Sequence, residues 1–328
     1  MTVSADSNPN FPQNLQIHPS NPHSSRYLNA AHDLDEAKFG SEAQELAIRK
    51  YGIAGRVWEA AYAMSLYIQP PGHLMFDPPI VDVSRQADSI VMIELGSGTG
   101  LVASSIAKLL RPGQDHLLVT DLPEVCPLLE DNLRSIKKSV GANIPDKDTI
   151  VIRPLSWGSQ DDAAAIASEF FRQSKNYDDF GTLTHIICSD LVYFPELLAP
   201  LLRSLLHLTS PPFCHLSDTP SGYCGPSVLI SYKVRSLSKE TAFWSAFGLW
   251  FEFYPVLVKD NAIGGEWQRF GADFDDTTFL FIAHRRPESY KWVLPFTDSD
   301  LLAGVGSNGT NYRKYDDTFE NLLLMALE

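Results

Sequence analysis

Short apolar runs alternate with amphipathic stretches through most of the chain. Residues 89–95, 116–120, 149–153, 184–189 and 227–234 are compact apolar runs, each bounded by turn-forming residues, and they predict buried strands. Between them, residues 99–110, 123–139, 161–173, 195–208 and 239–247 keep helical spacing. Pro112-Gly113 closes the first of these helices, and Pro123 is expected in the first turn of the second. Strands that alternate with helices predict an α/β fold: a Rossmann-like, seven-stranded, mostly parallel sheet with helices on both faces. Residues 250–258 and 277–284 read as two final strands joined without a helix, so the last strand is expected to be antiparallel. Ahead of this core, 41–68 reads as helical. Val57, Ala61, Met64 and Ile68 share one face, and Pro70-Pro71-Gly72 stops the pattern.

The ends are patterned differently. Residues 1–40 are rich in Asn, Ser, Pro and His and read as a largely irregular N-terminal extension to a domain over 41–286. The proline-rich stretch 209–226 reads as a loop. A C-terminal extension, 287–328, ends in Phe319, Leu322, Leu323, Ala326 and Leu327, whose helical spacing predicts a helix docked on its own domain.

Composition narrows the function. Of 328 residues, 26 are basic and 40 acidic, a net charge of −14, which disfavours binding to nucleic-acid backbones and suits a basic or protein partner. The beginning of the chain lacks a basic segment followed by an apolar one, and no apolar run reaches ~18 residues, so neither a secretory signal nor a membrane span is expected. Cys126, Cys188, Cys214 and Cys224 form no C-x-x-C pair, which argues against zinc, and no metal is expected. They read as thiols in a reducing compartment, with a Cys214–Cys224 bridge as the alternative. The cytoplasm is the expected location, with the nucleus second, and a monomer the expected state.

The candidate chemistry begins at Ile93-Glu94-Leu95-Gly96-Ser97-Gly98-Thr99-Gly100, the turn after the first core strand. Ligands of parallel sheets sit at such turns, and glycines there let a ligand reach the backbone. A dinucleotide fingerprint would place a third glycine where Leu101 stands, and a phosphate-binding loop would follow Gly100 with Lys and Ser or Thr. Asp121 ends the next strand, roughly 20 residues after the turn, where a carboxylate can accept both hydroxyls of a ribose.

These motifs resemble the first two of the seven-β-strand S-adenosylmethionine-dependent methyltransferases. Val57-Trp58-Glu59-Ala60-Ala61, Leu155-Ser156-Trp157-Gly158, Ser189-Asp190-Leu191-Val192-Tyr193 and Ile230–Arg235 with its basic end narrow the resemblance. Together they are similar to the methyltransferase-like protein-lysine methyltransferases, over about residues 50–285. The resemblance implies S-adenosylmethionine as cofactor and a lysine of a protein, such as a translation factor or chaperone, as acceptor. It places Gly96, Ser97 and Gly98 at the methionine part, with Glu94 helping to hold its amino end, and counts Gly100 among the cofactor-binding residues. Asp121 would take the ribose, Leu122 is counted as cofactor-binding, Trp157 would flank the adenine, Trp58 would close over the cofactor and Ser189 would complete the wall. Asp190 and Tyr193 become the candidate catalytic residues, Asp190 accepting hydrogen bonds from the amine and Tyr193 packing on the lysine stem. Methyltransferases of adenine and glutamine carry a [DN]-P-P-Y motif there. Asp190-Leu191-Val192-Tyr193 lacks both prolines, which argues against a nucleobase acceptor. A small-molecule N-methyltransferase and a non-catalytic cofactor-binding scaffold are the alternatives.

Overall fold

The computed structural model describes residues 10–12, 15–22, 35–81, 89–141, 149–171, 180–214, 225–271 and 278–324. The strands are β1 (Leu74–Asp77), β2 (Val91–Leu95), β3 (His116–Asp121), β4 (Ile150–Pro154), β5 (His185–Ser189), β6 (Ser227–Lys233), β7 (Phe251–Pro255), β8 (Leu257–Asp260), β9 (Gln268–Arg269) and β10 (Thr278–Arg285). Seven form the main sheet in the order β4-β3-β2-β5-β6-β10-β7, and β1, β8 and β9 form a small separate sheet. β2 pairs in parallel with β3 on one side and β5 on the other, so the order reverses at β2 and leaves a crevice beyond its carboxyl end.

Side chains along each core strand alternate between two apolar layers. Ile93, Leu118, Ile186 and Ile230 face one layer, and Met92, Leu117, Ile187 and Leu229 face the other. The first layer is completed by helices α6 (Gln160–Phe170), α7 (Pro195–Leu208) and α8 (Leu237–Trp250), the second by α3 (Glu59–Ile68), α4 (Leu101–Ala107) and α5 (Cys126–Gly141). Burial on both faces is why these strands read as unbroken apolar runs. The short α1 (Glu36–Phe39) and α2 (Ser41–Tyr51) precede the core.

Three expectations needed correction. The helical pattern over 41–68 is interrupted: α2 ends at Tyr51, a 3-10 turn occupies Gly52–Gly55 and α3 starts at Glu59. Two glycines within four residues weaken the helix there. Val57 is buried outside any helix, and Ala61 is only half-buried. Pro123 precedes α5 instead of sitting in its first turn. Residues 250–258 do not form one strand: Trp250 ends α8, and β8 leaves the main sheet to pair with β1. The antiparallel last strand, β10, lies inside the sheet between β6 and β7.

The C-terminal residues pack back on the first layer. Leu301 of α9 (Asp298–Leu302) is fully buried, and Phe319 of α10 (Thr318–Leu324) stacks on Trp244 with ring centroids 4.8 Å apart. Ala326, Leu327 and Cys224 lie outside the described residues, as do 215–224 of the proline-rich loop. Apart from α1, the described part of the N-terminal extension is irregular but anchored. Ser20 N–H donates to Gln44 Oε1 at 3.0 Å, and Ile53 N–H donates to Asn10 O at 2.9 Å. Among the described residues no helix is long and apolar enough to cross a membrane.

Candidate functional site

A cavity of about 470 Å³ opens at the reversal point, beyond the ends of β2, β3 and β5. Its floor is the turn Gly96-Ser97-Gly98. Gly96 has φ +57°, and a Cβ there would lie 2.8 Å from Trp157 Cζ2 and 2.9 Å from Leu191 Cδ2. Glycine takes that backbone without strain and leaves both side chains in place. Gly100 plays a different part from the one its motif suggests. It does not line the cavity; it caps α4, and a Cβ there would lie 3.1 Å from Leu129 Cδ2. Its role is packing between α4 and α5.

Two buried carboxylates face this floor. Asp121 Oδ2 accepts the Gly98 N–H and Oδ1 the Leu122 N–H, both at 2.7 Å. Burial pushes its carboxyl up to about 6, against the pull of those two donors. Glu94, 1% exposed, is pushed up to about 8 by burial, with Asp121 adding to the rise. The Ser97 hydroxyl lies near enough to draw the Glu94 pKa down, but neither its Oγ nor Glu94 Oε2 has a partner in hydrogen-bonding geometry, and both are buried. Orphaned oxygens deep in a lined cavity call for a donor, and an ammonium serves both.

At the other end stands a wall of aromatic and charged groups. The half-buried Trp157 meets Tyr193 edge-on, with centroids 6.2 Å apart, and Tyr193 meets Phe194 at 4.8 Å. Burial holds the Tyr193 phenol above its ordinary value, so it stays protonated at neutral pH. Trp58 caps α3, and its Nε1–H donates to Ile53 O at 2.9 Å. Ser189 Oγ accepts from Ser231 Oγ at 3.0 Å. Trp58, Leu122, Trp157, Ser189, Asp190 and Tyr193 all line the cavity.

Asp190 differs from its expected form as an open acceptor. Arg235 takes both its oxygens, Nη1 to Oδ1 at 2.5 Å and Nη2 to Oδ2 at 2.6 Å. Burial works against the Arg235 charge, but Asp190 and Glu59 beside it raise its pKa above the ordinary arginine value. Arg235, Arg56, Asn10 and Leu15 also line the cavity and were not among the sequence candidates. Arg235 ends the quoted Ile230–Arg235 stretch, so its basic character was visible while its partner was not.

Residues 41–246 match the lysine methyltransferase family. The chain belongs to this family. It is 30% identical over 165 residues to protein N-lysine methyltransferase METTL21A of Xenopus tropicalis, covering 49% of this chain and 58% of that protein. It is 26% identical over 208 residues to EEF1A lysine methyltransferase 3 of Xenopus tropicalis, covering 61% and 69%. To protein-lysine N-methyltransferase EFM6 of Saccharomyces cerevisiae it is 29% identical over 190 residues, covering 56% and 65%.

Membership of the lysine methyltransferase family implies S-adenosylmethionine as cofactor, and the residues present fit it. The unpartnered Glu94 Oε2 and Ser97 Oγ suit the ammonium of its methionine part. The carboxylate of Asp121 keeps lone pairs for ribose hydroxyls beside its two backbone donors. The half-buried indole of Trp157 offers a flat apolar surface to a base.

Proposed function

We propose that the chain transfers methyl groups from S-adenosylmethionine to a lysine of a protein. The observation that carries this is the wall of Asp190, Tyr193 and Trp157 at one end of the cofactor cavity, in a chain of the lysine methyltransferase family. The bound cofactor supplies an electrophilic methyl on sulfur. The protein's task is then alignment and proton management.

A lysine with its ordinary pKa of ~10.4 is protonated at pH 7, and making it neutral costs about 4.6 kcal/mol. Burial beside Tyr193 and Phe194 disfavours the ammonium form. The phenol of Tyr193, protonated at this pH, can donate to or accept from the amine and so orient its lone pair. Because Asp190 is paired with Arg235, the acceptor meets a compensated ion pair and not a bare carboxylate. That difference matters: a bare carboxylate would stabilise the ammonium and oppose the reaction.

The −14 net charge suits a basic face on the target protein. One relative is named for EEF1A, which makes a translation elongation factor the first target to try. We place the reaction in the cytoplasm, with the enzyme acting as a monomer.

Labelled S-adenosylmethionine, the protein and a cell lysate test this directly. A discrete labelled protein is expected, with label recovered as methyl-lysine after hydrolysis and lost with Tyr193→Ala. Label confined to small molecules would sink the reading.

A further inference from the structure

The ion pair of Asp190 extends beyond the acceptor wall. Arg235 Nη2 also lies 3.5 Å from Glu59 Oε2, at the start of α3. Its guanidinium stands 5.2 Å from the centroid of the Trp58 ring. Arg56, paired with Glu59 at 2.5 Å, covers the same indole at 4.4 Å. One cation therefore touches the carboxylate after β5 and both residues, Trp58 and Glu59, that enter α3 over the cavity.

The base of this cation is fixed. Glu240, fully buried, accepts from Tyr232 Oη at 2.5 Å and from the Ser236 N–H at 3.0 Å, with the Arg235 N–H at 3.4 Å. Asp190 itself adopts φ +63°, a left-handed backbone that a non-glycine residue keeps only where its surroundings hold it. Its N–H donates to Ser231 O at 2.8 Å, which secures the backbone, and the guanidinium secures both carboxylate oxygens. A planar fork is needed for this, because an ammonium cannot bond two oxygens in parallel and still reach Glu59.

We infer that Arg235 is the positioning residue of the site: it fixes Asp190 on the acceptor side and, through Glu59 and Trp58, holds the cofactor cover against it. The inference rests on the methyl-transfer reading for its kinetic consequence but not for its binding consequence. Without Arg235, Asp190 becomes a bare carboxylate on a strained turn, and the Trp58 cover loses its tie to β5. Cofactor affinity and turnover then fall together, whereas a residue serving only the acceptor would change turnover alone.

The test uses the full chain with Arg235→Ala, Arg235→Lys and Glu59→Gln. Binding of S-adenosylhomocysteine, the demethylated cofactor, is measured by calorimetry, and kcat and KM are measured alongside with the protein that the lysate experiment labels, in its unmethylated form. Arg235→Ala is expected to bind S-adenosylhomocysteine about tenfold more weakly and to lose about 100-fold in kcat, the scale on which misplaced groups act. Glu59→Gln should weaken binding while sparing most of kcat. Arg235→Lys should recover neither binding nor kcat in full, because its compact ammonium reaches Asp190 or Glu59 but not both at once. Wild-type affinity in Arg235→Ala, or wild-type kcat in Arg235→Lys, overturns the inference. If Arg235→Ala does not fold, the Lys and Gln variants decide by the same criteria. A wild-type protein that binds S-adenosylhomocysteine but methylates no lysine defeats the proposed function, and the binding results still judge Arg235.

Discussion

The Gly98 N–H points at Asp121 Oδ2 across 2.7 Å, so the carboxylate at the end of β3 is hydrogen-bonded to the turn that ends β2. Asp121 thus shapes the floor of the cavity as well as facing it. Asp121→Asn keeps an oxygen for one of the two backbone donors but removes the charge. Hydrogen bonds to a charged group are worth ~1.5–3 kcal/mol, so cofactor affinity should fall by roughly 10- to 100-fold. Calorimetric titration measures this, and unchanged affinity would show that Asp121 serves the turn alone.

Gly96 tests the floor from the other side. The Cβ of Gly96→Ala would press on Trp157 and Leu191, and φ +57° is itself costly for alanine by ~1–2 kcal/mol. The variant should melt lower, and displacement of Trp157 should weaken cofactor binding further. A melting temperature and affinity equal to wild type would mean that the indole moves freely.

Much of this site was legible before the fold was known. β2, β3 and β5 are buried on both faces, so they stand out as apolar runs, and Glu94, Asp121 and Ser189 sit at or beside their ends. Pro195 marks the start of α7 because its missing N–H costs nothing in a first turn. Arg235 and Asp190 are 45 residues apart, and their pairing depends on β5 lying beside β6, with Ser189 in register with Ser231. Local pattern carries no information about that adjacency. The same holds for β8, which reads on from β7 as one strand although its partners are β1 and β9. Gly100 misled for the opposite reason: the motif places three glycines together, but only their surroundings separate a floor from a helix contact.

Glu94 makes stability depend on pH in an unusual direction. Its folded value of about 8 lies above the 4.5 of an ordinary glutamate. Between those values the folded chain holds a proton that the unfolded chain has released, so stability falls as pH rises from about 4.5 to about 8. Asp121 adds the same sign between 3.8 and about 6. The cofactor-free protein should therefore melt at a higher temperature at pH 6 than at pH 8, and Glu94→Gln should flatten the difference. An ammonium seated against Oε2 favours the carboxylate, so cofactor binding at pH 7 should release protons. Calorimetry in buffers of different ionisation heat reads that release, and identical heats in all buffers would place the ammonium elsewhere.

One buried amide gathers the N-terminal extension onto the core. Gln44 has no exposed surface, and its Oε1 accepts the N–H groups of Ser20 at 3.0 Å and Val57 at 3.1 Å. Its Nε2 donates to Ser20 O at 3.0 Å and to Phe39 O at 2.8 Å. Four backbone groups from three segments thus converge on a single side chain, next to the Trp58 cover. Gln44→Leu has similar bulk but leaves those groups without partners, at ~1–3 kcal/mol for each one that stays buried. Ser20 can escape by letting the extension detach, whereas Val57 is held by the core and cannot. The expected outcome is a loss of about 2–4 kcal/mol in denaturant unfolding, with faster proteolysis before residue 35. Gln44→Glu keeps the one oxygen that accepts both N–H groups but sets a second oxygen against the Ser20 and Phe39 carbonyls, so it should also be destabilised relative to wild type. Equal protease resistance in all three would show that the extension is held by its other contacts, among them the bond from Ile53 N–H to Asn10 O.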